Sequence, residues 1–166
     1  MKDCNKSIAI VPGSFDPITN GHLNIAQRAA QSYDKVYVAV MINSSKEYMF
    51  TLSQRERIAR AALSGIDNIE VISSDGMLWE LARDLGACAI VKGYRNQVDL
   101  QYEKEMADYN NSHYPQAKTV LLEANSELSE ISSTVVRKMI IDKASLEGIL
   151  PEAAIEEIYK IMIQKE

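Results

Sequence analysis

The sequence predicts a doubly wound α/β fold, a five-stranded parallel sheet with helices on both faces. Short runs rich in β-branched residues alternate with longer amphipathic segments. The short runs are continuously apolar, as strands covered on both faces require. The 166 residues suit one domain, residues 1–166, and no internal repeat or low-complexity stretch divides them.

Residues 7–11 (Ser-Ile-Ala-Ile-Val) read as the first strand, stopped by Pro12-Gly13. A helix follows from about Gly21-His22 to Tyr33, with Leu23, Ile25, Ala26 and Ala30 apolar. Residues 36–42 form a second strand, ended by Asn43-Ser44-Ser45. Ser53 with Glu56 three residues later has capping-box spacing and predicts a helix opening there. Residues 69–72 read as the third strand and 77–85 as a helix, closed by Gly86, where a left-handed backbone is easiest. Residues 87–91 and 119–122 are the fourth and fifth strands, with a polar helix over 99–111 between them. A helix spans 132–142, and Pro151 suits the first turn of a last helix reaching Gln164.

Composition narrows the function classes. Apolar residues at 46% and charged residues at 25% describe a globular chain rather than a disordered one. A net charge of −5 argues against a general nucleic-acid binder, whose affinity depends on a basic surplus. Any phosphate site must then be a local basic pocket. No apolar run approaches the length that spans a bilayer, and Met1 to Ser7 is polar, so neither a membrane partner nor a leader is expected. The two cysteines, Cys4 and Cys88, make neither a disulfide framework nor a metal motif, which points to a reduced, cytoplasmic setting.

In a doubly wound sheet, ligands sit beyond the carboxyl ends of the strands. Four segments fall there. After the first strand comes Pro12-Gly13-Ser14-Phe15-Asp16-Pro17-Ile18-Thr19-Asn20-Gly21-His22. Gly13 allows a tight turn, Ser14 offers a hydroxyl, and Gly21-His22 opens a helix whose free amides favour phosphate. After the second strand, Lys46 supplies a mobile point charge, although alone it reads as a surface lysine. After the fourth, Lys92-Gly93-Tyr94-Arg95 forms a two-cation clamp around a glycine, with Glu103 able to bond a sugar or base edge. After the fifth, Ile131-Ser132-Ser133-Thr134 opens a helix with three hydroxyl residues, one turn before Arg137. These are an ordinary N-cap or a second phosphate-receiving terminus. No protein nucleophile with a paired base is in view, so the set suits nucleotidyl transfer by positioning and charge stabilisation.

The Gly-Ser-Phe-Asp-Pro turn, the Thr-Asn-Gly-His box and the Ile-Ser-Ser-Thr-x-x-Arg box resemble the signatures of the nucleotidylyltransferase superfamily. From about Ile8 to the last helix, the chain is similar to the phosphopantetheine adenylyltransferases. Ser-Lys before Met49-Phe50-Thr51-Leu52, and Arg95 followed by Asp99 and Tyr102-Glu103, favour that branch. The resemblance implies a Rossmann-like fold, a homohexamer, and transfer of AMP from ATP to 4′-phosphopantetheine, giving dephospho-coenzyme A and pyrophosphate. Coenzyme A would be a product-like ligand, and Mg²⁺ would arrive with ATP, with no metal ligands from the protein.

Carried over by motif, Ser14, His22, Lys46 and Arg95 would be catalytic. Ser14, Phe15, His22, Gly93, Tyr94, Arg95, Glu103 and the stretch Ser129, Glu130, Ile131, Ser132, Ser133, Thr134 would hold ATP. Ser14, Lys46, Met77, Leu78 and Lys92 would meet the acceptor.

Against the family pattern, Lys92 stands where Arg is common, Leu128-Ser129-Glu130 replaces an aromatic-Ser-Phe stretch, and Glu47-Tyr48 replaces a more basic segment containing proline. Rival readings are a nicotinate-mononucleotide adenylyltransferase, a transferase using CTP, and a non-catalytic adenine-nucleotide-binding protein on the same fold. Outside these segments, His113 reads as a surface histidine and Trp79 as a core residue.

Overall fold

The computed structural model describes residues 6–165. Cys4 and the residues before Lys6, read above as a polar tip, lie outside the described residues. The strands are β1 (Ile8–Gly13), β2 (Lys35–Met41), β3 (Ile69–Ser74), β4 (Ala89–Tyr94) and β5 (Lys118–Glu123). The helices are α1 (Asn20–Ser32), α2 (Leu52–Leu63), α3 (Leu78–Leu85), α4 (Gln97–His113), α5 (Ser133–Ile141) and α6 (Glu152–Gln164). All five strands are parallel, in the order β3-β2-β1-β4-β5. The chain runs outward from β1 to β3, then crosses back to pair β4 with β1. The switch point lies between β1 and β4, as the expected fold requires.

Strand alternation decides which side chain meets which layer. Ala9 and Val11 of β1 join Val36, Val38 and Val40 of β2 in a core sealed by Ile25 and Ala29 of α1, Ile58 of α2, Val136 of α5 and Ile158 of α6. Ile10 of β1 and Ala39 of β2 face the other way. They form a smaller core with Ala82 of α3, Ile90 and Ala117, flanked by Leu78, Leu81 and Tyr114. Four helices thus cover one face, and α3 with α4 the other.

Several expected boundaries move, each for a local reason. β4 continues through Lys92, Gly93 and Tyr94, because Leu121, Leu122 and Glu123 of β5 pair with them. The polar side chains disguised a stretch of strand. Helix α2 is capped by Thr51 rather than Ser53: Thr51 Oγ1 accepts from Gln54 N at 3.2 Å, and Gln54 Oε1 accepts from Thr51 N at 3.0 Å. Asp16 fixes that start by accepting from Met49 N and Phe50 N just upstream, while Glu56 pairs with Arg60 instead. Gly86 closes α3 at φ +65°, as expected.

Candidate active site

The carboxyl ends of β1 and β4 and the N-termini of α1 and α5 surround a cleft of about 570 Å³. The segments around it are held by buried charged groups, of which Arg55 does not itself line the cleft. Arg55 of α2 is only 1% exposed. Its guanidinium donates to the carbonyls of Ser14 (2.7 Å), Met41 (2.9 Å) and Phe50 (3.2 Å), tying the ends of β1 and β2 together. Burial lowers its pKa, opposed by the charges of Tyr48 and Asp16, and a guanidinium stays protonated at neutral pH. The Tyr48 ring stacks on it, 3.9 Å from Cζ to the ring centre.

Asp16, 2% exposed, is the opposite pole: besides the amides of residues 49 and 50 it faces Arg137 of α5 at 3.8 Å. Arg137 also donates to Asp16 O at 2.9 Å. Helix α5 is therefore pinned to the loop after β1. Buried ionic groups of this kind are invisible to a hydrophobic-pattern reading, which expects charge outside.

His22 is the most strongly defined group. The Thr19 amide donates to His22 Nδ1 at 3.0 Å, while Thr19 Oγ1 accepts from His22 N in return. This is a capping box with histidine in the place usually held by Glu or Gln. It also settles the tautomer. Nδ1 must present a lone pair to the Thr19 N–H, so the ring proton sits on Nε2. Nε2 has no protein partner among the described residues, and His22 lines the cleft. Burial, with the charges of Arg95 and Lys46, lowers the His22 pKa from 6.5 to about 4. At neutral pH His22 is an uncharged N–H donor.

The cations of the cleft differ in their engagement. Arg95 is bound by Asp99 at 3.1 Å, Lys92 by Glu103 at 2.8 Å and Arg137 by Asp16. Lys46 has no carboxylate within 4.0 Å among the described residues; its ammonium lies 3.5 Å from Ser14 Oγ. Its charge is thus available to a ligand. The three hydroxyls of residues 132–134 all have work inside the protein. Ser132 Oγ caps α5 by accepting from Val135 N, Ser133 Oγ donates to Pro17 O at 2.8 Å, and Thr134 Oγ1 accepts from Arg137. What α5 offers the cleft is its first amides and the positive end of its dipole.

The fold thus gathers Ser14, Phe15, His22, Lys46, Lys92, Gly93, Arg95, Glu103, Ile131, Ser132, Ser133 and Thr134 around one cleft. Tyr94, Ser129, Glu130, Met77 and Leu78 do not line it. Glu130 is exposed, and Ser129 Oγ donates back to Ser126 O. Met77 is 46% exposed ahead of α3, and Leu78 packs into the smaller core.

Two glycines of the cleft lining also serve packing. A Cβ on Gly93 would lie 3.0 Å from Ile25 Cγ1, so Gly93 lets α1 lie close against β4. A Cβ on Gly13 would lie 2.8 Å from the Phe15 ring, and the left-handed turn falls at Phe15 itself, φ 48°. His113 is exposed, as read, but it stacks on Trp79 at 5.0 Å and on Tyr109 at 4.5 Å. Trp79 is half-buried beneath it.

A parallel sheet with two helix N-termini, a neutral imidazole donor and unpaired or exchangeable cations over its switch point defines a nucleotide-handling site. The profile of the cytidylyltransferase-like family matches residues 10–139, and the chain belongs to that family. The phosphopantetheine adenylyltransferase of Lactobacillus helveticus (strain DPC 4571) is 42% identical over 149 residues, covering 89% of this chain and 91% of the relative. That of Alkaliphilus metalliredigens (strain QYMF) is 40% identical over 153 residues, covering 92% and 98%. That of Shouchella clausii (strain KSM-K16) is 36% identical over 155 residues, again covering 92% and 98%. Within the family, the chain is one of the phosphopantetheine adenylyltransferases.

Proposed function

We propose that the chain transfers AMP from ATP to 4′-phosphopantetheine, giving dephospho-coenzyme A and pyrophosphate, a step of coenzyme A biosynthesis. The names of its relatives supply the substrates. The observation in the fold that best supports the reaction is that one cleft holds a Lys46 ammonium with no carboxylate partner among the described residues and a neutral His22 N–H donor.

An oxygen of the acceptor phosphate attacks the α-phosphorus of ATP. A P–O bond forms there, the bond to the β-phosphate bridge breaks, and pyrophosphate leaves with the electron pair. No protein nucleophile is needed. The enzyme's task is to hold two anions together and to neutralise charge as it builds. Lys46 and Ser14 would receive the acceptor phosphate. His22 would donate its Nε2 proton as a hydrogen bond to the transferring phosphoryl group without giving the proton up. The first amides of α1 and α5 would meet the triphosphate. Arg95 and Lys92 would exchange their carboxylate partners for phosphate oxygens, and the Glu103 carboxylate freed from Lys92 could then bond a hydroxyl of the nucleotide.

Mg²⁺ would be carried on the triphosphate and would screen its charge. In the cleft, Asp16 accepts from the amides of Met49 and Phe50, Asp99 and Glu103 pair with Arg95 and Lys92 before a ligand arrives, and among the described residues no cluster of three His, Cys, Asp or Glu side chains is present. The donor set therefore fits a metal held mainly by phosphate oxygens. A homohexamer and a cytoplasmic setting complete the proposal on family resemblance. Among the described residues, no helix is long and apolar enough to cross a membrane.

The test is pyrophosphate release from ATP and Mg²⁺ with 4′-phosphopantetheine, and with nicotinate mononucleotide in parallel. Release with the first alone is expected, and Lys46→Ala should depress both turnover and acceptor affinity. Release with nicotinate mononucleotide alone would overturn the assignment.

A further inference from the structure

Tyr48 has no role in the chemistry described so far, yet it lines the cleft beside Ser14 and Lys46, the groups proposed to receive the acceptor phosphate. The ring is fixed from below by the Arg55 guanidinium, so the hydroxyl has a defined position. It accepts a hydrogen bond from Asn43 N at 2.6 Å, can donate to Asn43 O at 3.3 Å, and lies 3.4 Å from Ser14 Oγ, where either hydroxyl can be the donor. Its single proton can go to one of those two oxygens. Asn43 O accepts from Lys46 N at 3.0 Å and keeps a second lone pair, so it competes with Ser14 Oγ for the Tyr48 proton. Among the described residues, Ser14 Oγ is otherwise approached only by the Lys46 ammonium, at 3.5 Å.

A serine hydroxyl has two acceptor lone pairs and one proton. If Tyr48 O–H and Lys46 Nζ–H occupy the lone pairs, the remaining proton must point away from both, into the cleft. Both contacts are long here, as catalytic hydrogen bonds commonly are before an anion arrives.

We propose that Tyr48 is a positioning residue which, with Lys46, saturates the acceptor capacity of Ser14 and so aims the Ser14 proton at the acceptor's phosphate. The proposal rests on the adenylyl-transfer reading above. It gives the Tyr48 hydroxyl a part in recognising the acceptor and none in recognising ATP. The Lys46 loop is shaped by the same hydroxyl through Asn43, so one group sets both the charge and the hydrogen-bond donor that meet the phosphate.

Tyr48→Phe removes the hydroxyl and keeps the ring on Arg55. The experiment compares wild type, Tyr48→Phe, Ser14→Ala and the double variant by pyrophosphate release, with KM measured separately for 4′-phosphopantetheine and for ATP, and with thermal melting of each. Loss of one oriented hydrogen bond predicts a KM for 4′-phosphopantetheine raised about fivefold to tenfold. The KM for ATP and the melting temperature should stay near wild type. In the Ser14→Ala background the Tyr48→Phe change should have no further effect, because its target is gone. An equal effect of Tyr48→Phe in both backgrounds would overturn the proposal, as would an unchanged acceptor KM or parallel changes in both KM values with a lowered melting temperature. Failure of the wild type to use 4′-phosphopantetheine would overturn the reaction itself and this assignment with it. A working wild type with additive variants would overturn the assignment alone.

Discussion

Lowering the pH from 7 toward 4 should unfold this protein partly through one residue, His22. In the folded state its pKa is about 4, against 6.5 for an ordinary histidine. Between those values the unfolded chain binds a proton that the folded chain refuses. Stability therefore rises with pH across that window and is fully present above about 6.5; it is lost as pH falls toward 4. At about 1.36 kcal/mol per pH unit the full difference is about 3 kcal/mol, and the part of the ring open to the cleft reduces it to roughly 2–3 kcal/mol.

Two measurements check this. Denaturant melts across pH 4–8 give the linkage, and ring ¹⁵N NMR gives the protonation directly, with His113 as the second of the chain's two histidine signals. Below neutrality the His22 ring should stay uncharged, with its proton on Nε2, until pH approaches 4. A midpoint near 6.5, or a ring proton found on Nδ1, would refute the reasoning, because it would mean that the Thr19 amide does not hold Nδ1 as described. His22→Ala should remove from the melts the part of the pH dependence that His22 contributes.

Three further outcomes are expected. His22→Ala should lower kcat about 10²- to 10³-fold with the KM for ATP little changed, and steady-state kinetics would separate the two. Arg55→Met leaves the carbonyls of Ser14, Met41 and Phe50 without their donor inside the protein. It should cost about 3 kcal/mol in chemical denaturation, even though Arg55 touches no proposed substrate. Gly93→Ala forces a methyl group against Ile25 and should cost about 1–2 kcal/mol. Ile25→Val, which deletes the Cδ1 methyl, should recover part of that loss in the double variant.

Much of the architecture was legible in the residues. The apolar runs of β1 and β2 mark strands covered on both faces, and Gly86 marks a helix end. Strand ends point to the cleft because ligands of a doubly wound sheet sit outside the carboxyl ends of its strands, at the switch point. Polar stretches misled the boundaries: Lys92-Gly93-Tyr94 is strand because β5 pairs with it, a fact held in a different part of the chain. The cap of α2 slipped from Ser53 to Thr51 because the residues before it are held by Asp16, more than thirty positions earlier.

The sequence by itself determined the fold class, the family boxes and the place of Ser14, His22, Lys46 and Arg95 at one edge of the sheet. These follow from local patterning and short motifs, which are read within a few residues. Only the tertiary structure decided how those groups are set. It made His22 a neutral donor through Thr19 and burial, left Lys46 with no carboxylate among the described residues while Lys92 and Arg95 took theirs, and put Arg55 under Tyr48. Protonation, pairing and desolvation depend on groups brought together from distant parts of the chain, so no local pattern could have carried them.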